Sequence, residues 1–299
     1  MADSTLGKLV ELWRFPVKSM QGERVEALTV QSSGVVGDRA HALIDVATGN
    51  VVSAKSAKLF PTVLQCRAEF VHAPVVDAPA PVARSFLPDG SVVDSDAGNA
   101  NQRLSAWFKR DVQLARTAPA SFTIDMHQPE LGTDDAAAGQ GTTVQQKLGA
   151  ALFAAIGASS PVPVGSFLDL FPMSVLTTAT LAELRKRAPN SNIDARRFRM
   201  NAVIDTGGTG HDRGFPENDW TDLQIRCGAD VTLRVVMPDP RCVMVTLKQA
   251  DLDADMEVLR ALTQHNRIKT AWGELPCAGV YAAVEAEGGL RVGDPVLRV

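Results

Sequence analysis

In the stretch VVMPDPRCVMVT, residues 235–246, a β-branched run meets two prolines, and Arg241 and Cys242 follow at once. A thiol ligates soft metals and carries persulfide sulfur as its anion, and a neighbouring guanidinium favours that anion. Cys242 at a proline-rigidified turn therefore has the makings of a metal ligand or a sulfur carrier. It also reads as a small apolar residue opening a buried strand, CVMVTL, with Arg241 turned to solvent. The stretch FPVKSMQGE (15–23) places Lys18 and Ser19 between a proline and a glycine, an ammonium and a hydroxyl that together suit a phosphate. In GVVGDRAHAL (34–43), Asp38 and Arg39 precede a strand, and the guanidinium fork matches an oxyanion. Both also read as solvated features, the first as a turn and the second as a surface ion pair. GGTGHDRGFPEND (207–219) carries His211 and Asp212, which could face a substrate, but its glycine spacing fits neither a dinucleotide fingerprint nor a P-loop. A flexible loop is the simpler reading there.

The elements that must gather these residues are mostly short strands. RVEALTVQ (24–31), HALIDVATGNVVSAK (41–55) and VLQCRAEFV (63–71) alternate, and Thr48-Gly49-Asn50 divides the second into a hairpin. Leu104, Trp107 and Phe108 predict a short amphipathic helix, and segments 73–83 and 118–142 read as loops. TTVQQKLGAALFAAIG and TLAELRKRAP carry helical spacing, the latter with a capping box of Thr180 and Glu183 and a stop at Pro189. Strands are expected at 199–205, 222–227, 230–236 and 242–247, a helix at 253–266, and a terminal hairpin pivoting on Glu287-Gly288-Gly289. Many short strands with a few helices predict a β-rich α+β chain, closed or strongly bent, rather than a doubly wound parallel sheet.

Length and composition narrow the function. With 299 residues, 45% hydrophobic and 21% charged, the chain is globular and long enough for two units. A net charge of −4 gives no global field for a polyanionic backbone, so nucleic acid is not an expected partner. Cys66, Cys227, Cys242 and Cys277 are scattered without a C-x-x-C pair, which fits reduced thiols rather than a zinc or iron–sulfur site. The N-terminal stretch has no recognisable export signal, and LGAALFAAIGA (148–158) is too short to span a bilayer, so no membrane anchor and a cytoplasmic location are expected. No H-E-x-x-H, G-x-S-x-G or kinase-like set occurs.

Taken in order, FPVKSM, GVVGDRAHALID, LTTATLAEL, RRFRMNAVID, MPDPRCVMVT and VGDPV resemble the family in which a MOSC (molybdenum-cofactor sulfurase C-terminal) domain follows a MOSC N-terminal β-barrel. The resemblance runs from about residue 8 to the C-terminus, and in domain layout the chain looks like the amidoxime-reducing members. It implies an N-terminal β-barrel-like domain over 1–120 and a MOSC β-barrel domain with a few helices over 121–299. It implies a molybdenum cofactor (Mo-molybdopterin) with Cys242 as the metal ligand and catalytic residue. Lys18, Ser19, Arg39, Thr177, Arg199, Asn201 and Arg241 would bind the cofactor, in a cleft between the two units. The implied activity is reduction of small N-hydroxylated compounds with electrons from a separate donor, an iron–sulfur or flavin protein. A sulfur carrier working through a Cys242 persulfide and a non-catalytic cofactor-binding protein are the competing readings. The chain departs from the family at Pro240, where many relatives carry Ser, and at Lys55, where they carry Arg; the first removes a hydroxyl and an N–H near the metal, the second a bidentate fork. The tracts 73–97 and 118–142 look like insertions able to shape access.

Overall fold

The computed structural model describes residues 4–129, 141–209 and 214–299. Seven strands close into a barrel: β1 (Ser4–Arg14), β2 (Met173–Thr177), β3 (Ala202–Asp205), β4 (Gln224–Cys227), β5 (Val231–Pro240), β6 (Gly273–Ala286) and β7 (Pro295–Arg298). Around the ring the order is β2, β3, β1, β7, β4, β5, β6 and back to β2, with β2 and β3 parallel and every other pair antiparallel. The closed architecture expected from the many short strands is thus what the chain adopts. Closure buries Leu6, Leu9, Leu12, Ile225, Leu233, Val235, Val280 and Val296, each at most 1% exposed, together with Trp220. Burying such side chains contributes about 1.5–3 kcal/mol each, which is why the ring closes without an exposed edge.

A second body, within residues 15–115, is built of smaller sheets, 42–45 with 112–115, and 67–70 with 83–86 and 92–94, whereas 27–31 pairs with 34–35 and packs Leu28, Val30 and Val35 into the barrel core. Helix α1 (Ala100–Phe108) seats Leu104 and Phe108 against Phe60, Leu64 and Phe70, as its spacing predicts. Helices α2 (Gly149–Ala155), α3 (Thr178–Arg187) and α4 (Glu257–His265) complete the described helices; α3 and α4 cover one side of the barrel through Leu181, Leu184, Val258 and Leu262.

Four expectations change. The first half of TTVQQKLGAALFAAIG is a strand, Gly141–Lys147, paired with Thr123–Pro129; β-branched Thr and Val favour the pleat, and α2 starts only at Gly149, at φ +54°. The cap of α3 is Thr177, whose hydroxyl accepts the Thr180 N–H at 3.1 Å, while Glu183 pairs with Arg187. CVMVTL is a 3-10 turn over Val243–Thr246, because Pro240 offers no N–H to extend the β5 ladder and the chain leaves the sheet. The terminal hairpin does not close: residues 288–291 pair with 27–31 instead of folding back on β6. His211 and Asp212 lie outside the described residues.

Candidate functional site

Two adjoining cavities, with empty volumes of about 520 and 560 Å³, open where the second body meets the barrel, and they share Arg39, Asp169, Ser174, Arg199, Met244 and Tyr281. Lys18, Ser19 and Asn201 line the first; Lys55, Asp239, Arg241 and Cys242 line the second. Residues far apart in the chain, carried by two separate cores, are therefore brought to one cleft.

Turns in the left-handed region aim several of these side chains. Ser19 (φ 66°), Arg39 (φ 48°) and Arg199 (φ 56°) each hold this disfavoured conformation without being glycine. Strain of about 1–3 kcal/mol per residue persists where surrounding structure over-determines it, and such residues gather at ligand sites. Here the Lys18 N–H donates to His41 O at 2.8 Å, and the Arg39 N–H donates to Phe15 O at 2.7 Å, so two turns brace each other. Arg199 ends the 3-10 turn Ala195–Phe198.

The electrostatics are dominated by buried positive charge. Lys18, 6% exposed, donates to Phe167 O at 3.1 Å and to the Asp169 carboxylate, which also accepts from Lys55 at 3.0 Å. Burial pushes Lys18 down to about 8 against the pull of Asp169. Burial also works against the charge on Asp169 and on Lys55, but each is overruled by its partners: the two lysines hold Asp169 well below the carboxylate range, and Asp169 keeps Lys55 raised. Arg39 pairs with Asp38 and donates to Arg199 O at 3.3 Å. Arg199 donates to Met20 O at 2.6 Å and lies 4.4 Å over the Phe15 ring; burial, then the charge of Arg39, pushes its basicity down. Two guanidiniums stacked on one phenyl ring, and an ammonium pair sharing one carboxylate, leave the cleft with an excess of buried positive charge, which an anion would relieve.

The thiol stands at the edge of this field. Cys66, Cys227 and Cys277 are buried, whereas Cys242 is half-buried and lines the second cavity. Arg241 faces inward, 8% exposed at its side chain, ion-paired to Asp239 at 2.7 Å and donating to Ala278 O and Phe198 O. It does not turn to solvent. Burial raises Asp239 to about 6, opposed by Arg241 and by a hydrogen bond from Tyr281. Asn201 is a brace: its amide donates to Asp38 at 3.0 Å while its oxygen accepts from the Ser174 hydroxyl at 3.0 Å.

Thr177 does not line the cleft. Fully buried, it caps α3 and donates to Glu217 at 2.7 Å; Ser174, three residues earlier on β2, takes the cleft position. Asp169, Ser174, Asp239 and Tyr281 went unread as site residues. Asp169 in FLDLF carried the one available signal, a lone carboxylate inside an uncharged stretch.

The MOSC N-terminal beta barrel domain model matches residues 6–115, and the MOSC domain model matches residues 164–297. Mitochondrial amidoxime-reducing component 1 of Mus musculus is 32% identical over 136 residues, 44% of this chain and 37% of that protein. Mitochondrial amidoxime reducing component 2 of Homo sapiens is 32% identical over 139 residues, 45% of this chain and 39% of that one. The chain thus matches well under half the length of these curated relatives. Among solved structures, the YuaD protein of Bacillus subtilis aligns over 98% of this chain and 94% of its own at 10% identity and a TM-score of 0.42. With both domain models matched in sequence order, the chain belongs to the MOSC-domain family, with the MOSC N-terminal beta barrel placed ahead of the MOSC domain.

Proposed function

We propose that this protein is a molybdenum-cofactor-dependent reductase of small N-hydroxylated compounds that draws electrons from a separate iron–sulfur or flavin donor protein. The observation that carries this reading is one cleft holding both an accessible thiol, Cys242, and cations in excess of their carboxylates, with Lys18 and Arg199 buried and Lys55 and Arg39 half-buried. The residues fit an anionic, thiolate-bound group. Lys18, Arg39 and Arg199 would hold its phosphate, and the Ser19 hydroxyl, which accepts the Ala54 N–H at 3.1 Å, keeps its own proton to donate. Cys242 would supply the sulfur ligand. When bound, such a group supplies two-electron oxygen removal, R–NH–OH + 2e⁻ + 2H⁺ → R–NH₂ + H₂O, and the protein supplies orientation and charge balance. Asn201 and Ser174 brace the cradle, and Thr177 contributes only through α3. Arg241, which lines the cavity beside the thiol, also holds the chain just before it in place.

The test begins with metal analysis of protein from a host that makes the cofactor, followed by turnover of benzamidoxime with an artificial reductant. Molybdenum and turnover are expected, and Cys242→Ala should abolish turnover with the far-UV dichroism intact. Full activity in that variant would overturn the assignment. Molybdenum without turnover would favour the binding-protein reading, and metal-free protein with labile sulfur on Cys242 would favour sulfur transfer.

A further inference from the structure

The 3-10 turn Val243–Thr246 that follows Cys242 has little sheet of its own to fix it, since β5 ends at Pro240. What fixes it comes from elsewhere. Arg197, in the turn Ala195–Phe198, is 1% exposed, and its guanidinium donates to four backbone carbonyls: Asn192 at 2.9 Å, Asp253 at 2.8 Å, and Val245 and Leu247 at 3.4 Å each. Two of these bracket the end of the thiol-bearing turn, and Asp253 extends the grip to the approach of α4. On the other side of Cys242, Arg241 donates to Phe198 O at 2.9 Å, the residue after Arg197. The thiol segment is thus gripped before and after by a single four-residue turn, and the next residue is Arg199 of the cationic cradle.

A buried guanidinium that saturates carbonyls is a structural fastener with direction: its planar fork fixes the relative placement of every chain it touches. Without it those carbonyls lose their partners in the interior, and the segment opens. We infer that Arg197 is a positioning residue for Cys242, making the turn Ala195–Phe198 the part that sets the thiol relative to the cradle. The inference rests on Cys242 lining the cleft and stands or falls independently of the reductase reading.

The four cysteines supply the test and its control. In the cofactor-free full chain, Cys242 alone is half-buried, so limited alkylation with iodoacetamide followed by peptide mass analysis reports each thiol separately. In Arg197→Gln, labelling of Cys242 should quicken on the order of tenfold, the factor that about 1.4 kcal/mol of lost anchoring gives. Cys66, Cys227 and Cys277 should stay unlabelled. Arg197→Lys, which keeps the charge and one donor group in reach, should fall between the two, and it replaces the Gln variant if that one does not fold. Unchanged labelling of Cys242 in a folded variant would overturn the inference, as would a parallel rise at all four thiols, the mark of general loosening.

Discussion

Asp169 is the carboxylate shared by the ammoniums of buried Lys18 and half-buried Lys55, so Asp169→Asn isolates what it does. Removing one partner of a buried ion pair typically costs 3–5 kcal/mol because the other charge stays buried. Lys18 softens this. With its pKa already near 8, shedding its proton at pH 7 costs only about 1.4 kcal/mol, so the loss should lie at the low end, about 3 kcal/mol. For a chain this size that is a fall of roughly 6–12 °C in melting temperature. The pH dependence is more diagnostic than the size. A folded lysine below its unfolded value of 10.5 releases its proton before the unfolded chain does, so its unfavourable contribution is complete below pH 8 and relieved as pH rises from 8 to 10.5. In Asp169→Asn the folded value drops further, relief begins at lower pH, and the stability gap to the parent should narrow between pH 7 and 8. Inorganic pyrophosphate, an anion for the same lysines, should raise the variant's melting temperature more than the parent's. Urea unfolding at both pH values measures this. Equal stability at pH 7, or a gap that does not narrow, would refute the view that the Lys18 and Lys55 charges are held by one carboxylate.

Two further outcomes are expected. His41 is 1% exposed, and burial, with Arg116 nearby, pushes it to about 4. The unfolded chain therefore takes up this proton first on acidification, and about 3 kcal/mol of stability should be lost as pH falls from 6.5 to 4; His41→Leu should flatten that slope in unfolding curves, and an unaltered slope would assign the loss elsewhere. At Gly279 (φ +76°) an added Cβ would meet Val175 O at 2.5 Å and the Met200 terminal methyl at 2.4 Å. Gly279→Ala should cost at least about 1–3 kcal/mol in backbone strain, and a parent-like thermal melt would contradict the close approach of β6 to β2.

Much of the candidate cleft was legible as ordered motifs: Lys18, Ser19, Arg39, Arg199, Asn201, Arg241 and Cys242 all line its walls. Positions that work through geometry were not. Asp169 and Tyr281 lie in apolar strand-like runs, and the stapling role of Arg197 depends on carbonyls up to 56 residues away. The strands of regular alternation were readable, as in 222–227 and 230–236. β1 was missed because its register slips between Thr5 and Gly7 and again between Leu9 and Glu11, which breaks the period-two pattern. CVMVTL shows the converse: β-branched composition that reads as a strand bends into a turn once a proline ends the ladder.

Because β1 lies between β3 and β7, with Leu12 opposite Ala202 and Ser4 opposite Arg298, it takes its place in the ring only once strands far downstream in the sequence have been made. The intervening body can collapse during synthesis while that strand stays an open template. Dividing the chain at the apparent junction near residue 120 would therefore deliver a C-terminal fragment with a stave missing from its barrel.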